Sequence, residues 1–272
     1  MQYGSGSMID AHGMYDVQRW VDGGAISTED TIAEEVPVAL VYNGLSHAVM
    51  LATPKELEDF ALGFSLTEGI VGTSRELYEL EVVEHANGDE VRMRIPAERF
   101  IALRERRRAM AGRTGCGLCG VESLDQVMRH PTSKVSARGT VMAGALLRAQ
   151  SELESMQHLF RLTGAVHGAA WCRLDGSVEL VREDVGRHNA LDKLIGAIAQ
   201  DGRAFDDGFV LMTSRASYEI VQKAAAVGIA VVAAVSAPTG MAVRMAQAAG
   251  VTLIGFARGE RHSVYSHPQR IH

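Results

Sequence analysis

Two of the chain's three cysteines form a C-x-x-C pair, Cys116 and Cys119, inside Gly112-Arg-Thr-Gly-Cys-Gly-Leu-Cys-Gly120. Glycine loses more backbone entropy on ordering than any other residue. Gly112, Gly115, Gly117 and Gly120 therefore make a poor helix or strand interior, and the pair is expected on a mobile loop. Three chemistries fit such a pair. Cysteines are often small buried hydrophobes at a turn, although the flanking glycines argue against burial. C-x-x-C is also a common half of a zinc site, but no second C-x-x-C or H-x-x-x-H follows, and Cys172 stands alone. The third chemistry is reactive sulfur: a thiolate that attacks, is oxidised or carries a sulfur atom. Positive charge favours thiolates; Arg113 is adjacent, and Arg104, Arg106, Arg107 and Arg108 lead in. The bland reading of that arginine run is a solvated helix face. The pair alone does not decide among the three.

The whole chain narrows the choice. Its 272 residues are enough for two modest domains, and 47% are hydrophobic, as in a globular protein. A formal charge of −6 argues against general nucleic-acid binding. An odd number of cysteines and no recognisable signal peptide point to a reducing compartment. No apolar run is long enough to span a membrane. Residues 1–7 read as a tag or flexible extension, with Met8 nearer the natural start.

The elements that position the chemistry can be read in order. Residues 37–42 and 47–52 are β-rich runs around the hairpin signal Asn43-Gly44. Thr53, Pro54 and Glu56 read as N-cap, first helical residue and capping box of the next helix. Residues 79–84 and 90–95 alternate polar and apolar around Asn87-Gly88, a second hairpin. A helix from Pro96 carries the arginines toward the cysteines. A domain boundary is placed at 135/136, and one long helix is expected over about 139–162. Strands at 164–172, 179–183, 209–213, 229–235 and 251–256 then alternate with helices at 189–198, 217–227 and 240–249. Strands apolar throughout and separated by helices imply a sheet with a buried parallel portion.

This order is that of cytidine deaminases, whose zinc motifs H-x-E and P-C-x-x-C open the two helices after the second and third strands. Here those positions read His188-Asn189-Ala190 and Ser214-Arg215-Ala216-Ser217. The glutamate and both cysteines are missing, so deamination is not expected. What stands there instead is a rim of Asp184, Arg187, His188, Asn189, Ser214, Arg215 and Ser217. Helix N-termini with arginines and hydroxyls favour anions, which suggests a metal-free pocket for a phosphorylated ligand. The bland reading is capping by Asn189 and Ser217, with Arg215 and Arg258 paired to Asp184 or Glu219.

Six segments in order carry a family resemblance. They are Gly115-Cys-Gly-Leu-Cys-Gly120, Gly164-Ala-Val-His-Gly-Ala-Ala170, residues 182–193 (REDVGRHNALDK), residues 213–224 (TSRASYEIVQKA), Ala234-Val-Ser-Ala-Pro-Thr239, and Gly255-Phe-Ala-Arg-Gly259 with Val264-Tyr265. From about Glu34 onward the chain resembles the formate dehydrogenase accessory sulfurtransferases, the FdhD family. The resemblance implies an α/β fold (α+β overall). Residues 136–272 would form a cytidine-deaminase-like three-layer αβα domain with a mixed, partly parallel sheet. Residues 8–135 would form a smaller β-rich N-terminal domain carrying the loop.

The resemblance further implies a cytoplasmic homodimer that takes persulfide sulfur from a cysteine desulfurase. The sulfur would pass to a molybdenum or tungsten bis-molybdopterin guanine dinucleotide cofactor needed by formate dehydrogenase. Cys116 would be the persulfide cysteine and Cys119 its partner. The cofactor segment would be Phe256, Ala257, Arg258, Gly259, Glu260 and Arg261. The expected pocket joins that segment to Arg187, His188, Asn189, Ser214, Arg215 and Ser217, with GDP as a ligand mimic and no intrinsic metal. The competing reading is a cofactor-holding chaperone for formate dehydrogenase whose C-x-x-C is structural or metal-binding.

Overall fold

A computed structural model describes residues 10–110, 135 and 138–272. The cysteine pair and residue 136 of the expected boundary lie outside the described residues. Among the described residues the strands form three sheets.

The first is a two-stranded hairpin, β1 (His12–Val21) and β2 (Gly24–Ala33), turning at Asp22-Gly23. The second has the order β4-β3-β6-β5. It is built from β3 (Val36–Tyr42), β4 (Leu45–Ala52), β5 (Glu79–His85) and β6 (Gly88–Arg94). Both hairpins form as their Asn-Gly signals predict, and β6 joins them by pairing parallel to β3. Helix α1 (Leu57–Thr67) packs Leu57, Phe60 and Phe64 against Val38, Leu40 and Val91 of this sheet. Helix α2 (Ala97–Met110) follows.

The third sheet has the order β12-β11-β10-β9-β7-β8. Its strands are β7 (His167–Arg173), β8 (Val178–Asp184), β9 (Gly208–Met212), β10 (Val231–Ala234), β11 (Thr252–Arg258) and β12 (Arg261–Ser266). The centre, β9-β10-β11, is parallel, while β7, β8 and β12 run antiparallel to their neighbours. Side chains alternate across a strand, so each strand feeds two cores. Trp171, Val210, Met212, Val232 and Leu253 face helices α5 (Arg187–Gln200), α6 (Tyr218–Ala226) and α7 (Gly240–Ala249). Cys172, Phe209, Leu211, Val231 and Ile254 face helix α3 (Ala143–Met156). The result is the three-layer αβα arrangement with a mixed sheet that the element order predicts.

Three local expectations are corrected, and two features are added. Thr53 does not cap α1; the helix starts at Leu57, after Glu56 in a left-handed conformation (φ 52°) with no side-chain cap. Buried Thr53 instead serves Asp184, donating its N–H to the carboxylate at 3.0 Å, and its hydroxyl accepts from Val185 N–H. The expected helix over 139–162 is two, α3 and α4 (His158–Thr163), broken at Gln157, whose ψ of 81° is not helical. Hairpin β1–β2 and strand β12 were not foreseen. Asn189 lies inside the first turn of α5 rather than at its cap, which is Gly186.

The two larger sheets meet through helices α1 and α5. A Cβ at Gly63 would sit 1.7 Å from the Asp192 carbonyl oxygen, and one at Gly196 would sit 1.9 Å from that of Asp59. Two backbones this close leave room for glycine alone. Around the crossing, buried charges are paired: Lys223 Nζ lies 2.9 Å from Asp192 Oδ2 and 3.0 Å from the Thr67 hydroxyl, and Asp59 pairs with Arg182 at 2.7 Å.

Candidate functional site at the carboxyl ends of the parallel strands

In open α/β sheets, ligands bind where the parallel strands end. Strands β9, β10 and β11 end at Met212, Ala234 and Arg258, beside the start of antiparallel β7 at His167. A cleft of about 590 Å³ opens there, with Gln157, Phe160, His167, Thr213, Val235 and Arg258 among its lining residues. Arg258 donates from Nε to the Val235 carbonyl at 2.9 Å, which holds its stem to the end of β10. The Gly259 N–H donates to Gln150 Oε1 at 2.9 Å, tying the β11–β12 turn to α3. Phe256 is 47% exposed and takes a left-handed φ of 54°, while Ala257 is fully buried. Glu260 and Arg261 are exposed at and after the turn.

The corner between β8 and α5 forms beside this cleft. Asp184 and Lys193 are fully buried and 2.7 Å apart. Asp184 also accepts from the Gly186 N–H and from Asn189 Nδ2, and Asn189 Nδ2 reaches the Leu51 carbonyl as well. Every donor around the carboxylate is internal, so the Asn189 amide nitrogen braces the corner. The braced corner presents Arg187 and His188. Arg187 Nε is buried with no hydrogen-bond partner among the described residues. His188 Nε2 lies 2.7 Å from Glu219 Oε2 and 3.4 Å from Ser217 Oγ. The hydrogen bond from His188 holds the Glu219 carboxyl below its ordinary range. At His167, burial first and the Arg187 charge second push the imidazole below its usual value.

Ser217 occupies the N-cap position of α6, but its hydroxyl makes no capping bond and turns toward His188. Ser214 is buried and donates to the Arg215 carbonyl at 3.1 Å, while Arg215 itself is exposed. The pairing of Arg215 or Arg258 with Asp184 or Glu219 is not what forms. Asp184 pairs with Lys193 and Glu219 with His188. Among the described residues no three His, Cys, Asp or Glu side chains gather as a metal-binding group, and no helix is long and apolar enough to cross a membrane.

The profile of the FdhD/NarQ family matches residues 33–272. The chain belongs to that family. It is 56% identical over 263 residues to the sulfur carrier protein FdhD of Cupriavidus necator, covering 96% of this chain and 90% of that one. It is 53% identical to the protein of the same name from Bordetella petrii, covering 91% and 89%. Among solved structures, a protein from Desulfotalea psychrophila described as a formate dehydrogenase accessory protein superposes with a TM-score of 0.76. That match has 23% identity and covers 96% of this chain and all of that one; it speaks to the fold.

In this FdhD/NarQ chain, sequence reasoning named Arg187, His188, Ser217, Arg258 and Gly259, and the structure brings them to one edge of the sheet in two adjacent groups. It missed Glu219 as a partner of His188, and Gln150, Gln157 and Thr213 as walls. Glu219 carries a usable signal, two residues after the serine that opens α6. The glutamines carry none, since their helix was read as unbroken. Cys172 is fully buried on β7, and burial pushes its thiol far up, so it is no thiolate at neutral pH. Cys116 and Cys119 lie outside the described residues.

Proposed function

We propose that the chain is a sulfurtransferase that carries persulfide sulfur on Cys116 from a cysteine desulfurase to a molybdenum or tungsten bis-molybdopterin guanine dinucleotide substrate. The acceptor enzyme is a formate dehydrogenase. The observation that carries this reading is the 56% identity to a sulfur carrier protein over 96% of the chain. The sequence supports it with a glycine-flanked dithiol, and the fold supports it by burying the third thiol. In loading, the Cys116 thiolate attacks the outer sulfur of the desulfurase persulfide. A new sulfur–sulfur bond forms on Cys116, the donor's bond breaks, and the desulfurase thiolate leaves; no net oxidation occurs.

The pocket has the chemistry of a phosphate site. Arginine forks suit phosphate oxygens, and Arg187, Arg215 and Arg258 supply them locally although the chain is acidic overall. The Phe256–Arg261 segment contributes Arg258 and Gly259 to the cleft, and GDP stands in for the guanine end of the cofactor. The protein acts in the cytoplasm as a homodimer.

The test is loading by a desulfurase and free cysteine, read by mass spectrometry, alongside rescue of formate dehydrogenase activity in a deletion strain. One added sulfur is expected on Cys116. It should survive Cys172→Ala and vanish in Cys116→Ala, with activity following Cys116. Full rescue by Cys116→Ala would sink the persulfide role and leave a cofactor-holding chaperone.

A further inference from the structure

We propose that two copies of the chain pair their β1 strands antiparallel about a two-fold axis at Val17, an interface that rests on the homodimeric reading above. The result is one four-stranded ribbon shared by two chains. The phase of the β1–β2 ladder decides which backbone groups are free for this. Val21 and Gly24 flank a two-residue turn in which Asp22 and Gly23 have φ of 49° and 83°; in such a turn the flanking residues exchange hydrogen bonds. At the far end the Glu34 N–H donates to the Ala11 carbonyl at 2.9 Å. Odd-numbered residues of β1 therefore bond to β2, and Met14, Asp16, Gln18 and Trp20 turn their N–H and C=O groups outward. Among the described residues nothing bonds to those outward groups.

This edge lacks the usual defences. Proteins blunt exposed strand edges with charge, proline or bulges. The outer strand β5 of the four-stranded sheet does so with Glu79, Glu81 and Glu84. In the hairpin, β2 packs against α4, which leaves β1 as the outer strand. It runs ten residues with no proline and no bulge, and Asp16 and Arg19 are its only acidic or basic residues besides His12. Beside them Met14 is 61% exposed and Trp20 70%.

The occupant that fits is a second copy, because one register matches the strand to itself. With Val17 on the axis, Met14 stands opposite the partner's Trp20, Tyr15 opposite the partner's Arg19, and Asp16 opposite the partner's Gln18. These are a sulfur–aromatic pair, a cation–aromatic pair and a hydrogen-bonding pair, and symmetry supplies each twice. Arg19 keeps its own counter-charge, Asp30, 3.2 Å away on β2. Moving the axis to Asp16 sets two carboxylates face to face, and like charges directly opposite are destabilising. Moving it to Gln18 puts Asp16 against Trp20 and separates Tyr15 from Arg19. The ribbon lies outside the hydrophobic cores of the chain, and dilution returns it to the lone hairpin.

Sedimentation equilibrium of the full chain tests the interface. Wild type is expected to be a dimer, and Gln18→Pro a monomer at the same concentration. Proline at this position removes only an outward N–H, so the chain's own hairpin survives. Cross-linking decides if the proline disturbs the hairpin. In a chain carrying Cys116→Ala and Cys119→Ala, with Cys172 buried, Val17→Cys is expected to join two chains under mild oxidation. Residues paired across the axis without hydrogen bonds have Cα atoms about 4.5 Å apart, a distance a disulfide spans. Val21→Cys, opposite the partner's Gly13, is expected to stay unlinked. A dimer that survives Gln18→Pro, or in which Val17→Cys links no better than Val21→Cys, would overturn the β1 pairing and spare the homodimer and the sulfur-carrier reading. A monomeric wild type would overturn the pairing and the homodimer together and give the edge to an unlike partner, with persulfide loading of Cys116 untouched.

Discussion

At the scale of single residues, surroundings decide what a side chain can do. His167 is half-buried beside Arg187, and both effects disfavour its charged form. Its ordinary value is 6.5, and the folded value lies lower. Below pH 6.5 the unfolded chain therefore binds more protons at this site than the folded one, and stability falls as the pH drops toward the folded value. Urea denaturation of wild type and His167→Gln should show the variant losing less stability over that window; parallel curves would refute it. Residue types at the site were readable, but their duties only in part. Arg187 and His188 stand at the edge where the sequence put them. Asn189, the next residue, turned inward because buried Asp184 needs donors. That need depends on Thr53 and Leu51, distant in sequence, so no local pattern could reveal it.

Among elements, the crossing of α1 and α5 does the most to hold the chain together. Each helix places a glycine against a carbonyl of the other, Gly63 on Asp192 and Gly196 on Asp59. Gly63→Ala would force the helices apart along a fully packed face and strain the Lys223–Asp192 pair nearby. A loss of about 3 kcal/mol is expected from overpacking, read as a lower denaturant midpoint with unchanged slope. A change below about 0.5 kcal/mol, the range of ordinary surface substitutions, would show that the crossing can relax. The hairpins and the alternating strands and helices of the larger sheet were readable because their periodicities differ and Asn-Gly turns punctuate them. The break between α3 and α4 was not, since apolar spacing continues through it. Close packing marks that point: a Cβ on Gly168 would lie 2.7 Å from Gln157 Nε2. Thr53-Pro-Lys-Glu56 failed as a cap because tertiary donors to Asp184 outbid the local motif.

For the molecule as a whole, the order of elements was enough to reach a three-layer αβα unit. Hairpin β1–β2 escaped that reading although Asp22-Gly23 is as clear a turn signal as Asn43-Gly44. Its strands bury no continuous face: Met14, Tyr15, Trp20, Val21, Ile26 and Ile32 are all at least 40% exposed. Without a buried face the alternation that marks a strand has nothing to register against. A lone two-stranded ladder is marginal in water. Its amides should exchange with deuterium orders of magnitude faster than those of β9 and β10, which lie in fully buried strands. Protection equal to the core would mean that the hairpin is covered in solution.

The glycine crossing also bears on how the chain is made. Thr67 of α1 and Asp192 of α5 touch across 125 residues of sequence. At the ~5–20 residues per second of ribosomal synthesis, α1 emerges roughly 6–25 s before its partner exists. Throughout that interval its far face, glycine and all, has only nascent chain and water to meet. The first half of the protein is thus committed to wait for the second, and the ribosome's pace sets how long it must stay clear of other partners.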